Sequence, residues 1–180
     1  NEFYKAFLGD IKTDLQLFFS QLYQNQLDLK GINVAHISLL PKKDTPLELR
    51  DFRPISIVHS LPKLASKVLT RRLQVHIPNL VHNLQSGFIK GRAIVENFAM
   101  AADMVQTAHN RKLPVVVLKL DFRKAFDTVS WQCLFTIMEA RGFPRCWMRL
   151  VSSLLSIASS RVFINGQLGE SFSAKKGLRQ

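Results

Sequence analysis

The spacing of apolar and polar residues in the first third of the chain predicts a helix followed by a hairpin. Apolar residues recur every three or four positions between residues 2 and 24, which predicts an amphipathic helix with a buried face. The apolar run from Val34 to Leu40 and the extended pattern from Phe52 to Val58 predict two strands joined by a long tip. Pro54 cannot donate a hydrogen bond to a ladder, so it belongs at a sheet edge or at the start of the returning strand.

Two further helices are predicted in the middle of the chain. Ser60 and Pro62 open the first, and the second runs from Ala93 to His109, where apolar residues again repeat at helical spacing. The stretch between these helices, from Val81 to Arg92, is loop-rich. Basic residues recur at four-residue spacing along the first helix, at Lys63, Lys67 and Arg71.

The last third of the chain predicts two helices and a second hairpin. Ser130 can cap a helix that runs through Arg141, and Pro144 starts another. Alternating residues from Arg161 to Gly166 end in Asn-Gly, the strongest short hairpin signal, and predict a partner strand running toward Ser173.

Between these regions, the apolar run from Val115 to Leu120 predicts a strand that delivers Asp121 into a turn. On such a strand Lys119 and Asp121 share one face. Because Mg²⁺ prefers carboxylate and water oxygens, Asp121 is a candidate Mg²⁺ ligand, with the backbone carbonyl of Phe122 as a second contribution to the same ion. Phosphoryl transfer with two metal ions needs more ligands than one Asp supplies. An Asp at a strand end also suits a local turn without any metal.

Composition adds a strong electrostatic bias. The chain has 25 Lys and Arg against 13 Asp and Glu, a formal net charge of +12. Such a charge favours phosphate-rich partners through counterion release. The alternatives are a merely soluble basic protein, or an excerpt of a larger protein whose acidic part is absent. The missing initial Met favours a fragment.

Membrane and zinc-dependent functions find little support. No apolar run approaches the roughly 20 residues that span a bilayer, and the N-terminus lacks a signal-peptide layout, so no membrane partner is expected. Cys133 and Cys146 have neither CxxC spacing nor a His pair at zinc-ligand spacing, so no structural zinc site is expected. Both are interpreted as reduced, intracellular thiols.

The pattern Asp-x-x-x-Ala-Phe-Asp, from Asp121 to Asp127, resembles the first catalytic motif of reverse transcriptases. Other segments follow in the order and spacing of LINE-type, non-LTR retrotransposon reverse transcriptases, and are especially similar to those of plant elements. These segments are Asp51–Ser56 with Lys63, Gln85–Phe88 with Gly91 and Arg92, Arg161–Gly166, and Gly177–Gln180.

This resemblance implies an α+β right-hand polymerase fold that comprises fingers and an incomplete palm subdomain. On this interpretation the 180 residues form one partial reverse transcriptase domain. Residues 1–33 are an N-terminal helical segment, residues 34–113 the fingers, and residues 114–180 the partial palm.

The resemblance also implies roles for individual residues. Arg53, with Lys42 or Lys43, would contact the incoming deoxynucleoside triphosphate, although the lysines also suit a solvated hairpin tip. Phe126 matches the aromatic residue beneath the sugar that excludes a 2′-hydroxyl, although a core Phe is the alternative. Gln180 matches the glutamine that supports the nucleotide and the template.

The implied partners are an RNA template, a DNA primer and deoxynucleoside triphosphates, with a two-ion Mg²⁺ site at Asp121. The residues expected to follow the phosphates of template or primer are Lys63, Lys67, Arg71, Lys90 and Arg92. Nuclear action is implied by the family alone.

The sequence departs from the family at its end. The Gly-Asp-Pro continuation and the later aromatic-Ala-Asp-Asp hairpin, which carries two more carboxylates, lie outside these 180 residues. We therefore expect the chain alone to be inactive as an RNA-directed DNA polymerase. Two alternatives are a decayed or repurposed retroelement fragment that binds nucleic acid without catalysis, and a scaffold that folds poorly because its strand edges are exposed.

Overall fold

The structure is a computed structural model that describes residues 2–122 and 124–179. Its contacts divide these residues into two compact units. The sheet unit comprises the described part of Asn1–Ala65 and Lys124–Gln180, and the helical unit the described part of Ser66–Arg123. Within the described ranges, none of the helices has the length and apolar character that a membrane crossing requires.

Helices and strands come in separate runs along the chain, so the fold is α+β as predicted. The helices are α1 (Glu2–Ala6), α2 (Leu8–Gln24), α3 (Ser60–Gln74), α4 (Ile77–Leu80), α5 (Ile94–Asn110), α6 (Ala125–Thr128), α7 (Trp131–Ala140) and α8 (Arg145–Ser156). The strands are β1 (Val34–Pro41), β2 (Phe52–Val58), β3 (Ser159–Ile164) and β4 (Gln167–Ser173). A single 3-10 turn, Leu49–Asp51, precedes β2.

The four strands form one mixed sheet in the order β2-β1-β3-β4. Strands β1 and β2 pair antiparallel, with Leu39 opposite Pro54, and this confirms the first predicted hairpin. Since β2 lies at an edge of the sheet, Pro54 occupies the kind of position that its missing N–H requires. Strand β1 pairs parallel with β3, beginning with Val34 opposite Ser159, a long-range pairing that the local patterns did not predict.

The second predicted hairpin is also confirmed. Strands β3 and β4 pair antiparallel up to Ile164 opposite Gln167, leaving Asn165 and Gly166 as a two-residue loop. Both loop residues have positive φ, 51° and 81°, as a turn matched to the twist of a hairpin requires.

Helix ends agree with the capping signals, but the first helix is interrupted. The hydroxyl of Ser130 accepts a hydrogen bond from the backbone N–H of Cys133, which confirms the predicted cap of α7.

The single helix predicted over residues 2–24 is two helices in the structure, separated at Phe7. Its apolar face is buried only near its end, at Phe18 and Leu22, while Phe3 and Phe7 are exposed.

The prediction of a strand between Val115 and Asp121 is wrong. Residues 113–122 carry no helix or strand, and their apolar side chains are exposed. A strand depends on a neighbour for its ladder hydrogen bonds and cross-strand contacts. Among the described residues the ladder pairings are confined to β1, β2, β3 and β4, so this apolar run has no ladder to join.

Candidate functional site

The tip of the β1–β2 hairpin is organised by the carboxylate of Asp51. Its Oδ2 accepts a hydrogen bond from Lys43 Nζ at 2.8 Å and from the backbone N–H groups of Leu47 and Glu48 at 3.0 and 3.1 Å. These donors, the Lys43 ammonium foremost, lower the pKa of Asp51 below its usual value. Asp51 is therefore ionised at neutral pH and holds Lys43 at the tip.

The other two cations predicted to meet a triphosphate lie beside the same tip. Lys42 follows β1 directly, and its Nζ donates to the backbone carbonyl of Arg50 at 2.8 Å. Arg53 is the second residue of β2, pairs with Leu40 in the ladder, and has an exposed side chain. The hairpin thus brings Lys42, Lys43 and Arg53 to one end of the sheet unit, with both lysines already bonded to acceptors of the tip.

The candidate metal ligand Asp121 lies in the exposed, irregular segment of the helical unit. Its side chain is exposed, and so is Phe122, whose carbonyl is the second predicted ligand. The resemblance of this segment to reverse transcriptases implies divalent metal ions here. However, residues 2–122 and 124–179 contain no group of three His, Cys, Asp or Glu placed to hold a metal. One exposed carboxylate therefore does not fit a two-ion centre by itself.

Phe126, the predicted sugar-facing residue, lies in the single turn of α6 and is partly exposed. A short strap, defined as Gly177, Leu178 and Arg179, runs against this turn. Leu178 N–H donates to the carbonyl of Phe126 at 2.7 Å, and Gly177 N–H donates to that of Val129 at 2.8 Å. The indole Nε1 of Trp131 donates to the Gly177 carbonyl at 2.7 Å. Gln180 lies outside the described residues.

Gly177 permits the strap to approach α6 closely. Its φ is +83°, and a Cβ at this position would lie 2.7 Å from the carbonyl oxygen of Asp127. Any side chain would therefore push the strap away from α6 as well as strain the backbone.

The strap ends on a buried polar cluster formed by Asn33 and Arg179. Nη1 of Arg179 donates to Asn33 Oδ1 at 2.9 Å, and Nη2 donates to the backbone carbonyls of Asn33 and Ser159 at 3.0 and 2.6 Å. Asn33 is 2% exposed, and its Nδ2 donates to the carbonyl of Leu154 in α8 at 2.9 Å. Burial lowers the pKa of Arg179, although a guanidinium keeps its charge at neutral pH.

The predicted nucleic-acid-binding residues of α3 share one exposed face. Lys63, Lys67 and Arg71 occupy positions four residues apart on the helix, and all three side chains are exposed. Repeated positive charge on one helix face suits a phosphate backbone.

Arg92 has a structural task in the loop before α5. Its Nη1 donates to the carbonyls of His82 and Gln85, both at 2.8 Å, and its Nη2 donates to the carbonyl of Val81 at 3.2 Å. These bonds hold the loop together and occupy much of the guanidinium. Lys90, in the same loop, is exposed. Phosphate binding by either residue stays a prediction.

Sequence reasoning missed two organising residues, Asp51 and Asn33. A signal for Asp51 was present, because Glu48 and Asp51 have the three-residue spacing of a capping box, and the structure contains that reciprocal bonding. No local signal identifies Asn33, since its partner Arg179 is 146 positions away.

Comparison with known proteins now identifies the class of this chain. The family model described as reverse transcriptase (RNA-dependent DNA polymerase) matches residues 40–180. The chain therefore belongs to the reverse transcriptase family. The match includes every residue predicted to contact metal, nucleotide or nucleic acid, from Lys42 to Gln180.

Curated relatives narrow the class to proteins of retrotransposons. The transposon TX1 uncharacterized 149 kDa protein of Xenopus laevis is 27% identical over 179 residues, which cover 99% of this chain and 14% of that protein. The Pol polyprotein from the type-2 retrotransposable element R2DM of Drosophila melanogaster is 25% identical, over 83% of this chain and 14% of its own length. The corresponding protein of element R2 from Popillia japonica is 23% identical, over 79% and 20%.

These relatives, with the family match, confirm the predicted resemblance to non-LTR retrotransposon reverse transcriptases. The closer similarity to plant elements stays a prediction. The chain spans about a seventh of the length of the first two relatives.

Proposed function

We propose that this chain is part of the polymerase of a non-LTR retrotransposon, which transfers deoxynucleotides to a primer 3′ end on an RNA template. The observation that carries the proposal is the family match over residues 40–180, because it contains all predicted site residues in their expected order. Action inside the cell and within the nucleus is part of the same proposal.

The proposed architecture is that of a right-hand polymerase. Residues 34–113 would form the fingers and residues 114–180 part of the palm, with residues 1–33 as an N-terminal helical segment. The α+β fold with its mixed sheet supports this architecture at the level of fold class, while the sheet itself joins β1 and β2 of the proposed fingers with β3 and β4 of the proposed palm.

The hairpin tip is the proposed contact for the triphosphate. Arg53 is exposed beside the tip, and its planar guanidinium suits bidentate binding of phosphate oxygens. Lys43 would have to exchange its bond with Asp51 for one with phosphate, whereas Lys42 would have to leave the Arg50 carbonyl. Arg53 is therefore exposed for phosphate binding, whereas Lys42 and Lys43 must first give up their bonds to protein acceptors.

Phe126 and Gln180 are the proposed contacts for the sugar and for the nucleotide-template pair. The partly exposed ring of Phe126 could lie under a deoxyribose and exclude a 2′-hydroxyl by shape.

Asp121, with the Phe122 carbonyl, is the proposed ligand of Mg²⁺, which when bound would polarise the reacting phosphoryl group. Its remaining ligands would have to come from other parts of the protein.

The basic face of α3 is the proposed contact for the template or primer. Phosphate contacts there would give salt-dependent and largely sequence-independent affinity. The cations proposed for this role are Lys63, Lys67 and Arg71 on α3, with Lys90 and Arg92 in the following loop.

Asp121→Asn tests the proposal. In the polymerase that contains this chain, we expect primer extension on an RNA template in Mg²⁺ to fall by more than about a hundredfold, because the amide removes a charged metal ligand. Template affinity should change little. The matched control is Asp103→Asn, an exposed carboxylate on α5, which should leave extension unchanged. Extension retained by Asp121→Asn would remove Asp121 from the metal site, while RNA binding without any extension by the unmutated protein would favour a binding module.

A further inference from the structure

The strongest unexplained feature of the sheet unit is that every polar atom of Asn33 has a hydrogen-bond partner. Its backbone N–H donates to the Leu29 carbonyl at 2.7 Å, and its own carbonyl accepts from Ser159 N–H at 3.1 Å and from Arg179. Its side chain donates to Leu154 and accepts from Arg179. A buried group this fully bonded is costly to replace, because each abandoned partner keeps its desolvation penalty.

Arg179 matches Asn33 through the geometry of its guanidinium. Two nitrogens reach three acceptors at the start of the parallel β1–β3 pair, where Ser159 opposes Val34. A lysine has one nitrogen on a flexible stem and cannot reproduce this fork. The guanidinium thus fixes one end of the strap to the end of the sheet where the two inner strands, β1 and β3, begin.

The other end of the strap is fixed to α6. Only Leu178 separates Arg179 from Gly177, and the backbone N–H of Leu178 bonds directly to the carbonyl of Phe126. The close approach of Gly177 to Asp127 and the bond from Trp131 hold the same turn. A displacement of Arg179 is therefore transmitted through one residue to the backbone of Phe126.

We infer that Asn33 and Arg179 form a lock that positions Phe126 and so sets the discrimination between deoxynucleotides and ribonucleotides. The inference rests on the proposed function, in which the ring of Phe126 lies under the sugar. Exclusion by shape is sensitive to small displacements, since a misplacement of about 1 Å can change a rate by about a hundredfold. Asn33 and Arg179 would act through Phe126, and are therefore positioning residues.

The test is the ratio of kcat/KM for a deoxynucleotide to that for the matching ribonucleotide, measured in the polymerase that contains this chain. We expect Arg179→Lys to lower this ratio by about tenfold, equivalent to about 1.4 kcal/mol of differential transition-state binding. Because both nucleotides are measured on one preparation, the ratio does not depend on the fraction that is folded. The matched control is Arg161→Lys, since Arg161 also bonds to a carbonyl in the sheet, that of Gly169, and should leave the ratio unchanged.

Phe126→Val separates failure of the lock from failure of the proposed function. If Phe126→Val lowers the ratio and Arg179→Lys does not, the lock is only structural and the inference fails. If Phe126→Val leaves the ratio unchanged, the proposed sugar contact fails and the inference with it. Where Arg179→Lys leaves no activity, Arg179→Gln, whose planar side-chain amide keeps two N–H donors, takes its place. If neither Arg179→Lys nor Arg179→Gln extends a primer, Asn33 and Arg179 serve folding alone, and the inference is overturned.

Discussion

Strand β1 and the segment 115–122 have similar apolar sequences and opposite structures. In the sheet unit, β1 pairs with β2 on one side and β3 on the other, and its Ala35 is fully buried. In the helical unit, Val116 is 95% exposed and Leu118 is 77% exposed, and the segment forms no strand. The apolar pattern alone therefore does not decide whether a strand forms.

What separates the two segments is the presence of partners that fix a register. At the start of β1, Asn33 bonds to Ser159, Leu154 and Arg179, and so joins two strands, a helix and the strap at one point. No ladder partner reaches residues 115–122 within the described chain. The buried apolar side chains reflect this difference, because among the described residues all except Ala108 belong to the sheet unit.

The same Leu→Ala substitution in each unit should give the largest contrast. Leu29 is 1% exposed, so Leu29→Ala should lower the free energy of unfolding by about 2–5 kcal/mol through lost burial and a residual cavity. Leu118→Ala should change it by no more than about 0.5 kcal/mol, because the side chain is already in water. Urea unfolding of the two variants and the unmutated chain measures both values.

An equal loss of stability in the two variants would mean that residues 115–122 are packed in the chain in solution. The proposed difference in packing between the two units would then be wrong. A large loss of stability at Leu29 with none at Leu118 would confirm that difference, and would leave the apolar segment available to a further strand of the polymerase.

The elements that the sequence predicted correctly are those specified by neighbouring residues. Asn165-Gly166 specified the second hairpin because a two-residue loop with positive φ matches the twist of its strands. Ser130 marked the start of α7 because its hydroxyl accepts a hydrogen bond from the backbone N–H three residues later, that of Cys133. The parallel pairing of β1 with β3 could not be predicted in this way, since it joins residues more than 120 positions apart in sequence.

A second contrast compares two glycines with the same backbone conformation. Gly177 in the sheet unit has φ +83°, and Gly91 in the helical unit has φ +84°. A Cβ would meet the Asp127 backbone at Gly177 and open space at Gly91. We expect Gly91→Ala to cost about 1 kcal/mol from strain alone, and Gly177→Ala to cost about 2–4 kcal/mol from strain and overpacking.

Urea unfolding measures this contrast, and emission from Trp131 reports on the strap directly because its indole bonds to Gly177. The variant Trp147→Phe leaves Trp131 as the single tryptophan of the chain. Similar costs at the two glycines, with unchanged emission, would contradict the close contact between the strap and α6.

For the candidate site, the sequence predicted the functional residues but not the hydrogen bonds that fix their positions. The family resemblance placed Phe126, Arg53 and Asp121 in order along the chain. It did not predict that Asp51 bonds Lys43 or that Arg92 binds the carbonyls of its own loop, because both depend on turns that the spacing leaves undetermined. The same local patterns wrongly predicted a strand leading to Asp121, which requires a distant neighbour.

The smallest expected effect concerns where a polyanion binds. Lys67 on α3 of the helical unit and Lys12 on α2 of the sheet unit are both exposed lysines within helices. If the α3 face contacts phosphates, Lys67→Ala should reduce the slope of log affinity against log salt concentration by about 1, while Lys12→Ala should leave the slope unchanged. Fluorescence anisotropy of a labelled single-stranded RNA, titrated at several salt concentrations, measures both slopes. Equal reductions would mean that the net charge of +12, and not the α3 face, determines affinity, because a diffuse field does not distinguish two lysines of similar exposure.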